Sequence, residues 1–254
     1  MKKRLLQIGI AVVILLVIGL VALTLSLDRI VKTGVETVGP QVAKVEVKLA
    51  GVSLSFFSGK GEIKGLVVGN PEGYKTESAI KVGGVSVVVK PSTVFSDKIL
   101  VESINVSGPE VTFEGGLTGN NLKKILANID SSLGGGSGGT NTTQTSSTKL
   151  QVNDLMITGG KINVAVPGLA KTTTVPLPAI HLTDLGKDSD GITAADLSKR
   201  IIGAILENST KAVGSVLGDL GKGVTETATS LGKGAAQSAE KVTKGIGDLF
   251  KKKN

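Results

Sequence analysis

The segment from Leu5 to Leu27 carries no charged side chain and only Gln7, Thr24 and Ser26 as polar ones. No other feature limits the fold as strongly. As a helix rising about 1.5 Å per residue it measures roughly 30 Å or slightly more, the thickness of a bilayer's hydrocarbon core. A cleaved signal peptide usually has an apolar stretch of about 7–15 residues followed by a small-x-small site. This run is longer and ends in Thr24-Leu25-Ser26-Leu27-Asp28, a poor cleavage site. It therefore predicts a retained single-pass anchor over 5–27. Lys2, Lys3 and Arg4 crowd the leading end. The positive-inside rule then keeps residues 1–4 in the cytoplasm and sends residue 28 onward across the membrane. The alternative, a helix buried in a soluble protein, needs a second large apolar surface around it, and the chain offers none.

Beyond the anchor the chain reads as mostly β with helices. Aromatic residues make up only 2% of the chain, with no Trp and one Tyr. The core is therefore built from Val, Ile and Leu, which favours strands. There is no Cys, which excludes disulfides, Cys-ligated metals and lipid attachment at Cys. The net charge is +8, yet Lys is spread thinly and aromatic stacking platforms are missing. An anionic lipid surface fits this pattern better than nucleic acid, which is not expected as a partner.

Val42 to Leu54 alternates, with Val45, Val47 and Leu49 on one face and Lys44, Glu46 and Lys48 on the other. Val52, Leu54 and Phe56 continue after the Ala50-Gly51 break. Such alternation marks half-buried strands. Further strands are predicted over 62–68, 79–90, 99–106 and 110–114, separated by Asn70-Pro71-Glu72-Gly73, Pro91-Ser92-Thr93 and Gly108-Pro109. Together they suggest an antiparallel meander. Asn120 or Asn121 can cap a short helix to Ile129, with Leu122, Ile125, Leu126 and Ile129 on one face. Residues 131–148, rich in Gly, Ser, Thr and Asn, read as a flexible loop. Strands resume over 150–158, 161–166 and 175–182, and Pro176 and Pro178 place the last at an edge. This second set, within 149–192, is expected to complete the first sheet.

The order of these elements resembles the N-terminal region of the AsmA-like family of bacterial envelope proteins. The resemblance rests on Gly69-Asn-Pro-Glu-Gly-Tyr74, the alternating Val85-Ser-Val-Val-Val-Lys90, Ile104-Asn-Val-Ser-Gly-Pro-Glu-Val-Thr-Phe-Glu114 and Asn120-Asn-Leu122. It covers residues 1–130 well and 149–186 loosely. It implies an inner-membrane protein whose bulk is periplasmic, with a curved antiparallel sheet over 28–130 and an apolar inner face. It also implies a role in phospholipid binding or transport, or in outer-membrane assembly. The β region is too short to bridge two membranes, so a short lipid cradle is the form expected. Its candidate lining is Val45, Val47, Leu49, Val85, Val87, Val89, Ile104, Val106, Val111 and Phe113.

Beyond Thr193, a candidate cap, the tail over 193–254 repeats every eleven residues. Eleven residues make three turns at about 3.67 per turn, close to the helical value. An apolar stripe results, formed by Ile202, Leu206, Val213, Leu217, Leu220, Val224, Leu231, Val242, Ile246 and Phe250. Lys211, Lys222, Lys233 and Lys244 lie roughly opposite it. Each Gly in such a helix costs about 1 kcal/mol relative to Ala, so the tail needs its stripe covered. The cover is a membrane, the protein's own sheet or another helix.

No reaction centre stands out. His181 is the sole His and sits in an extended stretch facing the polar side. Asp188-Ser189-Asp190-Gly191 fails as a calcium loop, because Gly186 and Leu197 occupy its first and last ligand positions. The Gly run at 134–139 lacks the Lys and Ser or Thr of a phosphate cradle. The sequence thus predicts a non-enzymatic protein with no cofactor and no metal, which handles phospholipid. The alternative is a structural or adaptor protein of the envelope that binds a protein partner through its tail.

Overall fold

The computed structural model describes residues 27–134, 148–166 and 172–218. The expected anchor lies outside them except for Leu27. Among the described residues no helix is long and apolar enough to cross a membrane. The chain divides into two compact units, Met1–Ala212 and Val213–Asn254. The first unit holds all of the sheet.

Helix α1 is described over 27–43, where a strand was expected to begin at Val42. It is followed by β1 (Val47–Lys48), β2 (Gly51–Ser55), β3 (Lys60–Gly69), β4 (Ser78–Val89), β5 (Lys98–Ser107) and β6 (Glu110–Glu114). A short 3-10 turn, Pro91–Thr93, links β4 to β5. Helix α2 covers Asn121–Gly134, so 131–134 are helical where a loop was expected, and the rest of that expected loop up to 147 lies outside the described residues. Then come β7 (Lys149–Thr158), β8 (Lys161–Ala165), β9 (Thr173–Pro176) and β10 (Ile180–Leu185). Helix α3 runs over 194–218. All ten strands belong to one open, curved, largely antiparallel sheet. The architecture is mixed α/β.

The α1 sequence is poor in strong helix formers and contains Pro40. Its side chains nevertheless clip it to the free edge of β1 and β2. The Leu54 amide donates to Asp28 Oδ1 at 2.8 Å and the Leu49 amide to Glu36 Oε1 at 2.9 Å. Lys32 Nζ donates to the Leu49 carbonyl and, at 3.3 Å, to that of Ala50. Edge groups that would otherwise point into water are thereby satisfied.

The second set of strands completes the sheet through two parallel pairs. β5 and β7 are parallel, as are β6 and β8. β7 starts at the end where β5 began and runs in the same direction. Lys98 lies beside Lys149 and Glu110 beside Lys161, a displacement of 51 residues in both cases. The two stretches are also alike in sequence. Lys98, Val101 and Gly108 recur as Lys149, Val152 and Gly159, and Val106-Ser107 recurs as Ile157-Thr158.

A second regularity crosses the sheet. In each ribbon the register of one side continues unchanged through a break onto the other, and the breaks line up. Ala50 falls opposite Gly65, Gly65 opposite Gly83, Gly83 opposite Gly108, Gly108 beside Gly159, and Gly159 opposite Pro178. Gly65, Gly108 and Gly159 have φ of 59°, 60° and 65°, the left-handed region that glycine enters without a Cβ penalty. One unbroken apolar row flanks the line on either side. The first is Val47, Val68, Ile80, Val111, Ile162 and Val175. The second is Val52, Ile63, Val85, Val106, Ile157 and Ile180. Within every ribbon the two rows stand five residues apart. Residues at an odd spacing look to opposite faces of a regular strand. Yet all twelve are buried or half-buried. The glycine line turns the alternation over and makes a corner, as bulges and bends do where strands change layer.

On the first row's side the core is closed. Val111, Phe113, Ile162 and Val164 have no exposed surface, and neither do Leu122 and Ile125 of α2, which packs on β6. Asn120 proves to be the cap, accepting from the Lys123 amide at 2.9 Å. Thr193 caps α3 by a reciprocal pair. The Asp196 amide donates to its hydroxyl at 3.0 Å, and that hydroxyl donates to Asp196 Oδ2 at 2.6 Å. Ile202, Ile205 and Ser209 are buried on α3, whereas Leu206 is only half-buried, so the stripe is shifted by one residue there. The rest of the predicted stripe, Leu220 to Phe250, lies outside the described residues. The Ser209 hydroxyl is buried with no hydrogen-bond partner among the described residues. Ser209→Ala is expected to raise stability by about 1 kcal/mol, read as a higher midpoint in urea, because the uncompensated hydroxyl goes.

Candidate functional site

The ten candidate lining residues divide at the corner. Val45, Val47, Leu49, Val111 and Phe113 lie on the first row's side and are buried. Val45 and Leu49 flank β1 rather than lie in it. These five hold the sheet to its helices and present no open surface. Val85 is buried at the corner's far lip. Val87, Val89, Ile104 and Val106 are half-buried.

The register assembles these last four with neighbours that alternation alone does not single out. Val52, Ile63, Val85 and Val106 form one cross-strand row, and Leu54, Gly61, Val87 and Ile104 the next. At about 4.8 Å between strands, each row is roughly 14 Å wide. Val52, Leu54, Ile63, Val87, Val89, Ile104 and Val106 are all half-buried. The opposite face carries Ser53, Glu62, Ser86 and Asn105, all exposed. The result is an apolar strip with a hydrophilic back, partly accessible over β2 to β5 and running into the buried Leu155 and Ile157 of β7. The regular five-residue spacing of apolar pairs, as in Val47/Val52 and Ile63/Val68, is the sequence signal that points to Val52 and Ile63.

The strip holds no titratable group, so it offers apolar contact and no acid–base chemistry. His181 does have a partner that the sequence did not reveal. Its Nε2 lies 2.6 Å from Asp154 Oδ1, on the neighbouring strand, and both side chains are about half exposed. Among the described residues no three His, Cys, Asp or Glu side chains gather into a metal-binding group. A hollow of about 210 Å³ is lined by polar groups including Glu77, Lys81, Glu110, Thr112 and Asn163. Its charges are spoken for. Glu77 pairs with Lys81 and Glu110 with Lys161, both at 2.8 Å. The Lys81 hydrogen bond and charge hold the Glu77 carboxyl below its ordinary value.

The motif residues that carry the family resemblance form a structural network. Asn121, fully buried, donates from Nδ2 to Asn70 Oδ1 at 2.7 Å and to the Thr112 carbonyl at 2.8 Å. Its Oδ1 accepts from the Glu114 amide at 3.0 Å. Asn70 Nδ2 donates to the Thr76 carbonyl and hydroxyl, both at 2.7 Å. The Glu114 carboxylate accepts from the Lys75 and Thr76 amides and the Thr76 hydroxyl at 2.6 to 2.9 Å. The turn after β3, the end of β6 and the start of α2 are thereby tied together.

Partial burial alone raises the Glu114 carboxyl. The Thr76 hydroxyl and the two amides together outweigh it, so the group sits below its ordinary value of 4.5. A carboxyl depressed by folding stabilises the protein above its unfolded value, and that contribution is lost as pH falls through the folded one. Glu114→Gln is therefore expected to lower the melting temperature at pH 7. The gap to wild type should close as pH drops below about 4.5, measured by thermal melts across pH 3–7. A gap that is constant with pH would assign the loss to shape rather than charge.

No family model, curated protein or solved structure matches this chain.

Proposed function

We propose that this protein is anchored in the inner membrane by residues 5–27 and that its open apolar strip holds phospholipid acyl chains on the periplasmic side. In this reading it is a short AsmA-like protein that binds or passes phospholipid or supports outer-membrane assembly. One observation carries the lipid part: Val52, Leu54, Ile63, Val87, Val89, Ile104 and Val106 share one apolar, half-buried face of an open sheet. An apolar surface that stays partly accessible across several strands is a place where an apolar ligand can bind. An acyl chain needs only apolar contact along its length, and the strip provides that without a buried charge. The anchor is inferred from the length and neutrality of the N-terminal segment.

The test is native mass spectrometry with lipid extraction on the full chain released from its membrane in mild detergent. A stoichiometric phospholipid that is lost in Val87→Asp supports the cradle. A lipid-free mass, unchanged after incubation with liposomes, turns attention to the adaptor reading and to a protein partner of the tail.

A further inference from the structure

Three of the chain's five phenylalanines meet at one end of the sheet. Phe56 and Phe57 lie in the turn between β2 and β3, and Phe95 in the loop between β4 and β5. The Phe56 ring centroid is 5.9 Å from that of Phe57 and 5.7 Å from that of Phe95. Phe57 is 70% exposed and Phe95 77%. Phe113 is buried in the core, but Phe57 and Phe95 stand in solvent on either side of the half-buried Phe56. Such a cluster marks a contact surface.

Where the chain leaves the described structure identifies the occupant. The described part of α1 starts at residue 27, and the bond from the Leu54 amide to Asp28 Oδ1 pins that point two residues from Phe56. Two residues of extended chain reach about 7 Å. The apolar segment Leu5–Leu27 therefore ends beside the aromatic cluster. Ile30, in the first turns of α1, is 64% exposed. Charge points the same way. Arg29, Lys60, Lys90 and Lys98 belong to this end and make no ion pair among the described residues. Asp28, engaged by the Leu54 amide, and Asp97 are the carboxylates beside the rings, and Asp188 and Asp190 lie in the turn that packs against Lys98. Exposed rings ringed by cations match the headgroup region of an anionic bilayer, where aromatic side chains settle and basic ones meet lipid phosphate.

We propose that the tip formed by Phe56, Phe57 and Phe95 inserts into the interface of the membrane that holds the N-terminal segment. The proposal rests on the anchor half of the proposed function and not on the lipid cradle. Docking in this way seats the open end of the apolar strip on the bilayer. Leu54 and Val89 adjoin the rings there, so acyl chains reach the strip without crossing water.

The absence of Trp makes the test direct, because one introduced indole is the sole fluorophore of its kind. Phe57→Trp, Phe95→Trp and, as a distant control on the β6–α2 loop, Leu117→Trp are made in the full chain. Each is reconstituted into phosphatidylcholine–phosphatidylglycerol vesicles with and without brominated acyl chains. The expected result is blue-shifted emission and loss of intensity with bromolipid at positions 57 and 95, and neither at 117. Water-like emission at 57 and 95, in a chain that resists carbonate extraction, overturns the docking and leaves the anchor standing. A blue shift without bromolipid quenching also overturns it, since a protein segment or a second copy then covers the rings. Extraction by carbonate removes the anchor, and the proposal falls with it. Val87→Trp, read in parallel, reports on the cradle, so docking and cradle fail separately.

Discussion

Replacing Asn121 with leucine is expected to destabilise the protein by about 3–5 kcal/mol, because the Asn70 side chain, the Thr112 carbonyl and the Glu114 amide all lose their partner at once. For a chain of this size that corresponds to a fall of roughly 10–15 °C in melting temperature. Leucine fills a similar volume, so a cavity does not explain the loss. The cost arises from desolvated groups left unpaired, which is the expensive direction of the exchange. The check is a pair of thermal melts by far-ultraviolet circular dichroism, with Asn120→Ala beside Asn121→Leu. Asn120→Ala removes mainly a helix cap and is expected to cost about 1 kcal/mol. If the two variants melt together, the network is not what ties the turn after β3 to α2.

The second large effect lies at the corner. A Cβ built on Gly65 would stand 2.6 Å from the Ala50 Cβ, at a φ of 59°. Gly65→Ala therefore combines a left-handed backbone penalty of about 1–2 kcal/mol with a steric one of about 1–3 kcal/mol. Gly108 has nearly the same φ, 60°, but its nearest neighbour to an added Cβ is the Gly159 carbonyl oxygen at 3.9 Å. Gly108→Ala is thus expected to cost only the backbone part, about 1–2 kcal/mol. Adding Ala50→Gly should recover most of the steric share of Gly65→Ala and none of the backbone share. Urea unfolding of the two single variants and the Gly65→Ala/Ala50→Gly pair measures this coupling. Equal losses for Gly65→Ala and Gly108→Ala would remove the steric account.

Much of the sheet was legible because period-two alternation is strong in a chain whose core is nearly all Val, Ile and Leu. The turns at Asn70–Gly73 and Gly108-Pro109 were equally legible, since Gly and Pro limit the backbone locally. α1 was not. Val31, Val35 and Val42 are weak helix formers, and the alternation of Val45, Val47 and Leu49 read backwards into residues 42–44. What makes 27–43 a helix is long-range, namely the bonds that Asp28, Lys32 and Glu36 make to the edge of β1 and β2. Parallel pairing of β5 with β7 was hidden for the same reason. Strand direction depends on how the intervening segment returns, and alternation carries no such information. The division of the candidate lining into closed and open halves arose from the corner. Each strand's apolar residues were visible, but the reversal of their facing at Gly65, Gly108 and Gly159 depends on backbone angles. The likeness of 98–114 to 149–165 was present in the sequence, but its few identities sit among substitutions such as Asn105 for Met156.

That likeness bears on how a sheet with such a corner arises. A corner works only if neighbouring ribbons turn at the same level, and a glycine placed independently in each would have to find that level by chance. A stretch of like sequence carries its turning point with it. Seated in parallel at a constant displacement, the second stretch brings Gly159 beside Gly108 without further adjustment. Parallel seating of like stretches thus widens the sheet and extends the corner together.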